Sequence, residues 1–291
     1  MRRTVILLAL AAVGACRRPP PPPFPEGLKL AFGMDLQGGD RDVFVMDGPR
    51  AAPVAVAAHP AYDEAPAWSP EGATLAFASS RDGVQGIYGW GARGLEPLAR
   101  ARYVDAFPSW SPDGRRLVVM SDRDGNWELY SMGADGLDEK RLTTDPRDDR
   151  WPAWSPDGRT IAYISARSGN DDLCLVDPDG KNVRPLTADV ALEGRPSWSP
   201  DSRRLVWSSE REGRPALFVI DVEKGPPRRL TPEGLSAWDA AWSPDGSLIA
   251  FASDRDGYRE IWLIRPDGRD LRQLTTLRGS AHTPAWGVRR Q

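Results

Sequence analysis

Five arginines recur at one fixed place in the chain. Arg81, Arg123, Arg167, Arg211 and Arg255 each stand thirteen residues after a tryptophan, and a glycine follows each of them two residues later. Five residues before the same tryptophans stand Asp63, Asp105, Asp149 and Glu193, whereas the corresponding positions nearest the C-terminus, Ala237 and Ala281, carry no acid. Carboxylates and guanidinium groups at constant spacing do one of two things. Paired with each other they fix local structure; left in solvent as an incomplete acidic ring, they attract a cation or a basic surface and speed its arrival. The same segments hold Tyr62, Tyr103, Trp151 and Trp238, and aromatic side chains in surface loops either anchor interfaces or pack between sheets. Asp63, Asp105, Asp149, Trp151, Glu193 and Trp238 are therefore the expected partner-binding face.

Signals for catalysis are weak by comparison. The two histidines, His59 and His282, fall in equivalent connecting segments, and with Asp63 they are the one combination that suggests a metal, but no third ligand stands at a diagnostic spacing. There is no Gly-x-Ser-x-Gly elbow, phosphate loop or paired-cysteine metal spacing. The chain reads as a non-enzyme with no catalytic residue, no metal and no cofactor. A formal net charge of -3 over 291 residues, with 27% charged and both signs interspersed, gives no electrostatic case for binding nucleic acid.

The elements that position these residues are set by a repeat. Trp-Ser-Pro-Asp-Gly or a close variant begins at Trp68, Trp110, Trp154, Trp198 and Trp242, and a shortened copy, Trp286-Gly287, follows; the tryptophans are 42, 44, 44, 44 and 44 residues apart. A constant period in the low forties marks a β-propeller with one blade per repeat. Ser-Pro-Asp-Gly suits a tight turn, with Pro presetting φ, Asp accepting from nearby amides and Gly closing the hairpin. A second Pro, two residues before all of these tryptophans but Trp242, marks an edge strand, and the innermost strand of a blade is such an edge. In the copy from Trp154, strand two is Thr160 to Ile164, strand three Asp172 to Val176 and strand four Val183 to Thr187. Strands two and three are apolar on both faces, as sheets packed between sheets require.

The repeat starts in mid-blade. Leu28 to Asp35 parallels Leu248 to Asp254, and Asp42 to Met46 parallels Glu260 to Ile264; the chain then ends just beyond a first strand, Pro284-Ala285-Trp286. One blade must be built from both ends. The expected fold is all-β: a six-bladed β-propeller of four-stranded antiparallel blades, residues 28–291, closed by a C-terminal strand that joins the N-terminal blade.

Ahead of it, residues 1–15 combine a basic start with a short apolar run and end in Val13-Gly14-Ala15 before Cys16. That describes an export signal and resembles the lipobox of bacterial lipoproteins, which would make Cys16 a lipidated first residue. Residues 16–27 include Pro19 to Pro23, a stiff polyproline stalk. By resemblance to lipoprotein sorting rules, the lack of Asp after Cys16 points to the periplasmic side of the outer membrane. The second cysteine, Cys174, lies in a strand pattern, so a disulfide to Cys16 is not expected.

Taken together, Pro-Ala-Trp-Ser-Pro-Asp-Gly, Ser253 to Gly257 (Ser-Asp-Arg-Asp-Gly), Ile-Trp-Leu-Ile and Arg-Gln-Leu-Thr resemble the propeller repeats of the TolB family from about Leu28 to Trp286. The resemblance implies an envelope propeller that docks proteins. In that family the propeller binds the peptidoglycan-associated lipoprotein, and a separate N-terminal domain, without a counterpart in this sequence, engages inner-membrane partners. A partner of that kind is thus expected, and membrane contact only through the lipid. Similar repeats in prolyl oligopeptidase relatives and oligogalacturonate lyases keep a small ligand, sugar or metal in the channel as the second reading.

Overall fold

A computed structural model describes residues 24–36, 39–56, 59–99, 102–277 and 279–289. Cys16 and the Pro19 to Pro23 run lie outside the described residues. Six antiparallel four-stranded sheets form the blades of a ring, and in blades 2 to 6 the middle pair of strands is closed by a turn carrying the repeated Arg-x-Gly. Blade 1 is assembled from both ends: Ala281–Val288 is its innermost strand and pairs with Leu28–Asp35, followed by Arg41–Met46 and Val54–Ala55. Blades 2 to 6 begin with Asp63–Trp68, Asp105–Trp110, Asp149–Trp154, Ser197–Trp198 and Trp238–Trp242. The closure inferred from the offset of the repeat is thus the one observed.

Burial follows the pattern of sheets between sheets. Leu75–Ser79, Ile161–Ser165 and Ile249–Ser253 are buried at every position. One apolar cluster runs from Ile87 of blade 2 through Leu117 and Leu129 of blade 3 to Ile161 and Tyr163 of blade 4, so the core lies between blades. Four of the six outer strands are only two residues long, Arg184–Pro185 standing where Val183 to Thr187 is expected, whereas Gly94–Ala99 and Lys224–Arg229 have six. A two-residue edge offers little ladder to a foreign strand. Phe24 lies in the expected stalk but is buried, its ring 5.1 Å from that of Trp286, so the folded body starts earlier than the polar surroundings of Leu28 imply.

Five of the six inner strands carry a bulge. Ala65, Phe107, Trp151, Asp239 and Thr283, three residues before their tryptophans, have φ between 45° and 55°, and the register slips around them. Four of the five precede a proline, which cannot donate to the ladder and disfavours helical φ in its predecessor. A bulge re-aims one side chain and costs on the order of 1–3 kcal/mol when a non-glycine is held at positive φ. Blade 5 differs: Arg195 holds no positive φ, and the strand is broken into the bridge Glu193 to Ser209 and the short Ser197–Trp198.

The turn works as its composition suggests. In the copy at Trp110, Ser111 Oγ donates to Asp113 (2.6 Å) and accepts from the Arg116 amide (2.9 Å), and Asp113 accepts from the Arg115 amide (3.0 Å). The tryptophans do not behave alike. The indole N–H groups of Trp110, Trp198 and Trp286 donate to the preceding blades' carbonyls at Ala67, Ala153 and Ala241, whereas those of Trp154 and Trp242 turn to their own Gly158 and Gly246. The residue before each tryptophan follows suit. Ser109 and Ser197 accept from the amides of Trp154 and Trp242. At Trp68 the neighbour is Ala285, and Lys29 Nζ donates to the Gly72 carbonyl (2.9 Å) and sits 3.5 Å over the ring.

Candidate functional site

The four acids are not a solvated ring. Asp63, Asp105, Asp149 and Glu193 are between 0% and 3% exposed, at the start of the inner strand or the bridge opposite Ser79, Ser121, Ser165 and Ser209. The arginine two residues beyond each serine folds back onto the acid: Arg81 on Asp63 (2.8 Å), Arg123 on Asp105 (3.1 Å), Arg167 on Asp149 (3.3 Å) and Arg211 on Glu193. All four arginines also donate from Nε to the serine hydroxyl. Each pair ties an inner strand to the turn after strand two, because a buried carboxylate needs a cation and hydrogen bonds. Burial raises the pKa of all four acids, that of Asp149 to about 6. Where Ala237 replaces the acid, Arg255 is released to solvent, 53% exposed against 29% or less for the other four.

The aromatic residues of the links stay near the surface. Tyr62 is 39% and Tyr103 46% exposed, and Trp151 and Trp238 are half-buried. An arginine lies over every one of them: Arg41 over Tyr62 (4.7 Å), Arg123 over Tyr103 (5.5 Å), Arg150 over Trp151 (5.4 Å) and Arg259 over Trp238 (4.2 Å). The arginines are in turn held, Arg41 by Asp35 (2.6 Å) and Glu64 (3.0 Å) and Arg150 by Asp171 (3.0 Å). Rings pinned this way lose little freedom when something docks on them. The links thus carry four Tyr or Trp side chains, each with a guanidinium group positioned over its ring.

Within the channel the six repeat tryptophans and their flanking prolines enclose a cavity of about 470 Å3. His282 is buried beneath the mouth, its Nε2 2.8 Å from Asp35 Oδ2 and its Nδ1 3.4 Å from Arg259 Nη1, whereas His59 is exposed and is not among its contacts. Among the described residues no group of three or more His, Cys, Asp or Glu side chains is placed to hold a metal ion. Cys174 is a free, fully buried thiol whose pKa burial pushes up to about 12, which leaves it unreactive.

A family model described as the TolB beta propeller domain matches residues 92–192 and 188–290. The chain belongs to the TolB β-propeller family. Among solved structures, TolB from Acinetobacter baumannii superposes with a TM-score of 0.80 at 23% identity, over 89% of this chain and 66% of that one. A putative TolB from Agrobacterium tumefaciens gives 0.73 at 22% identity, over 90% and 97%. Hydrazine synthase from Kuenenia stuttgartiensis gives 0.75 at 13% identity, over 91% of this chain and 47% of that one, so the ring itself is shared beyond the family. No curated protein matches the chain.

This TolB-family propeller holds a further repeated device that the spacing of acids and arginines does not suggest. Thr143, Thr187, Thr231 and Thr275, two residues beyond the ends of the outer strands, accept from amides of the third strands at Leu129, Leu173, Leu217 and Ile261, each fourteen residues earlier. Three of these hydroxyls donate onward to buried carboxylates, Thr143 to Glu128, Thr187 to Glu193 (2.7 Å) and Thr275 to Glu260. The recurring Leu-Thr at residues 142–143, 186–187, 230–231 and 274–275 is its signal in the sequence.

Proposed function

We propose that this chain is a non-catalytic envelope lipoprotein, anchored through Cys16 on the periplasmic side of the outer membrane, whose propeller docks a protein partner on its link face. The observation that carries the docking is the set of four arginine-backed aromatics, Tyr62, Tyr103, Trp151 and Trp238. Tyr, Trp and Arg are the residues that dominate interface hot spots. The family supplies the class of partner, an envelope protein similar to the peptidoglycan-associated lipoprotein. Its propeller is present here, and the docking geometry is this chain's own.

With purified peptidoglycan-associated lipoprotein as the probe, Trp151→Ala and Trp238→Ala are each expected to weaken binding about 30-fold, the equivalent of about 2 kcal/mol, measured where each variant is folded, since Trp151 also packs on two core clusters and its loss lowers the melting temperature. Equal affinity across parent and variants would remove the link face from the reading. Anchoring is tested separately. Cys16→Ser is expected to abolish palmitate labelling and move the protein from the membrane fraction to the soluble one, and an unlabelled parent retained on membranes would refute lipidation.

A further inference from the structure

The six residues that stand three before the repeat tryptophans, Ala65, Phe107, Trp151, Arg195, Asp239 and Thr283, occupy equivalent places at the inner edges of the six blades, and Arg195 alone of them lines the channel cavity. Arg195 is the exceptional member. It is the single charged side chain among the described residues that line the 470 Å3 cavity, whose walls are otherwise tryptophan, proline, alanine and serine. Its guanidinium reaches from blade 5 to within 5.9 Å of the Phe107 ring of blade 3. It also feels the charges of Glu64 on blade 2 and Asp239 on blade 6. A side chain that addresses four blades lies across the channel.

No hydrogen bond or ion pair holds that guanidinium among the described residues. The two nearest carboxylates are engaged elsewhere. Glu64 accepts from Arg41 (3.0 Å) and Gln85 (3.0 Å), and Asp239 accepts from the Thr283 amide (3.3 Å). Arg195 is half-buried in the cavity wall, and burial lowers its pKa while the charges of Asp239 and Glu64 act to raise it. Every other link-face arginine discussed above has a carboxylate, a serine or a histidine as partner. A five-donor fork left open in an apolar cavity fits an incoming anion, and a planar carboxylate matches it with two parallel bonds.

We propose that Arg195 makes this channel a receptor for a single carboxylate carried on an apolar or aromatic body. One charge is the right number, because Asp239 and Glu64 stand close enough to repel a second. The body follows from the walls: indole and proline faces lie beyond the guanidinium, in a volume within the roughly 300–1,000 Å3 of small-molecule sites. The break in the inner strand of blade 5 serves the same end, since it frees Arg195 from the bulge geometry that the other five positions adopt.

The probes are N-acetylphenylalaninate and its uncharged amide, titrated into the isolated mature chain and followed by calorimetry and by the fluorescence of the channel tryptophans. The anion is expected to bind at least tenfold more tightly than the amide. Arg195→Gln should erase that preference, with the amide unaffected, and Asp239→Asn should strengthen the anion severalfold. Equal binding of the two probes, no saturable binding of either, or a preference that survives Arg195→Gln would overturn the proposal. If Arg195→Gln melts earlier than the parent, Asp239→Asn decides: a gain for the anion alone supports the site, and no change refutes it. No partner protein enters this test, so its failure and that of the docking surface are separate results.

Discussion

Removal of residues 281–291 melts the whole ring instead of fraying one blade. The strand Ala281–Val288 is buried at seven of its eight positions and pairs with Leu28–Asp35. It also binds both neighbouring blades. Trp286 donates to the Ala241 carbonyl of blade 6 (3.1 Å), and the backbone at Gly287 lies so close to Trp68 of blade 2 that an added Cβ would stand 2.5 Å from the indole. Gly72 makes the same point from the other side, since a Cβ there would meet the Val288 carbonyl at 2.1 Å. Loss of one buried Trp costs about 3–5 kcal/mol, against a total of about 5–15 kcal/mol for a typical fold. The truncated chain also exposes Leu28–Asp35 as a long apolar edge, so it should associate on size exclusion and lose its cooperative melt. A monomer with the parent's melting temperature would show that the ring does not depend on this strand.

Arg167→Met produces the next largest effect, and its pH dependence identifies the cause. In the parent, one Asp149 oxygen takes the Arg167 N–H at 3.3 Å and the other has no partner, at a residue that is 0% exposed. Removing one member of a buried pair costs about 3–5 kcal/mol when the remaining charge stays ionised. That is the loss expected in urea denaturation at pH 8. Burial already raises the pKa of Asp149 to about 6, and without the cation it must rise further. A carboxyl whose pKa is higher folded than unfolded binds its proton more readily in the folded state. Stability therefore increases as pH falls through the folded value, and the gain is complete below the unfolded value of about 3.9. The deficit of the variant relative to the parent should accordingly shrink between pH 8 and pH 5. An identical deficit at both values would mean that lost packing, not the stranded carboxylate, carries the effect.

The sequence revealed the architecture because each blade repeats the same local chemistry. Trp-Ser-Pro-Asp-Gly states a turn, its spacing states the blade, and the half-blades at Leu28 and Trp286 state the closure. The acids were harder to read. A carboxylate in a connecting segment looks solvated, and only the partner strand shows that Asp149 faces Ser165 and lies under Arg167. The signal was nevertheless there: acid, then Ser-x-Arg with the arginine eighteen residues on, recurs four times, and Arg255 lost its cover where Ala237 replaced the acid. Arg195 gave no such signal, because a lone arginine before a proline is ordinary. Its meaning comes from the ring, which brings Phe107, Asp239 and Glu64 around it from blades that are distant in sequence.

The alternating indoles bear on the symmetry of the ring. Seen along the channel axis the blades look six-fold, but the hydrogen bonds of Trp110, Trp198 and Trp286 repeat at every second blade, and Ser109 and Ser197 of those blades accept from the Trp154 and Trp242 amides of the blades between. The rotational order is therefore three, and the unit that maps onto itself is a pair of blades. Copying a single blade would set two indoles of the same orientation side by side and leave a carbonyl without its donor, so the pair is the smallest unit that can be repeated. Where the ends of the chain meet, the third pair is imperfect: Ala285 stands in the serine's place and Lys29 supplies the bond that the Trp68 indole would make to Gly72. The seam of the circle is thus written in its side chains as well as in its backbone.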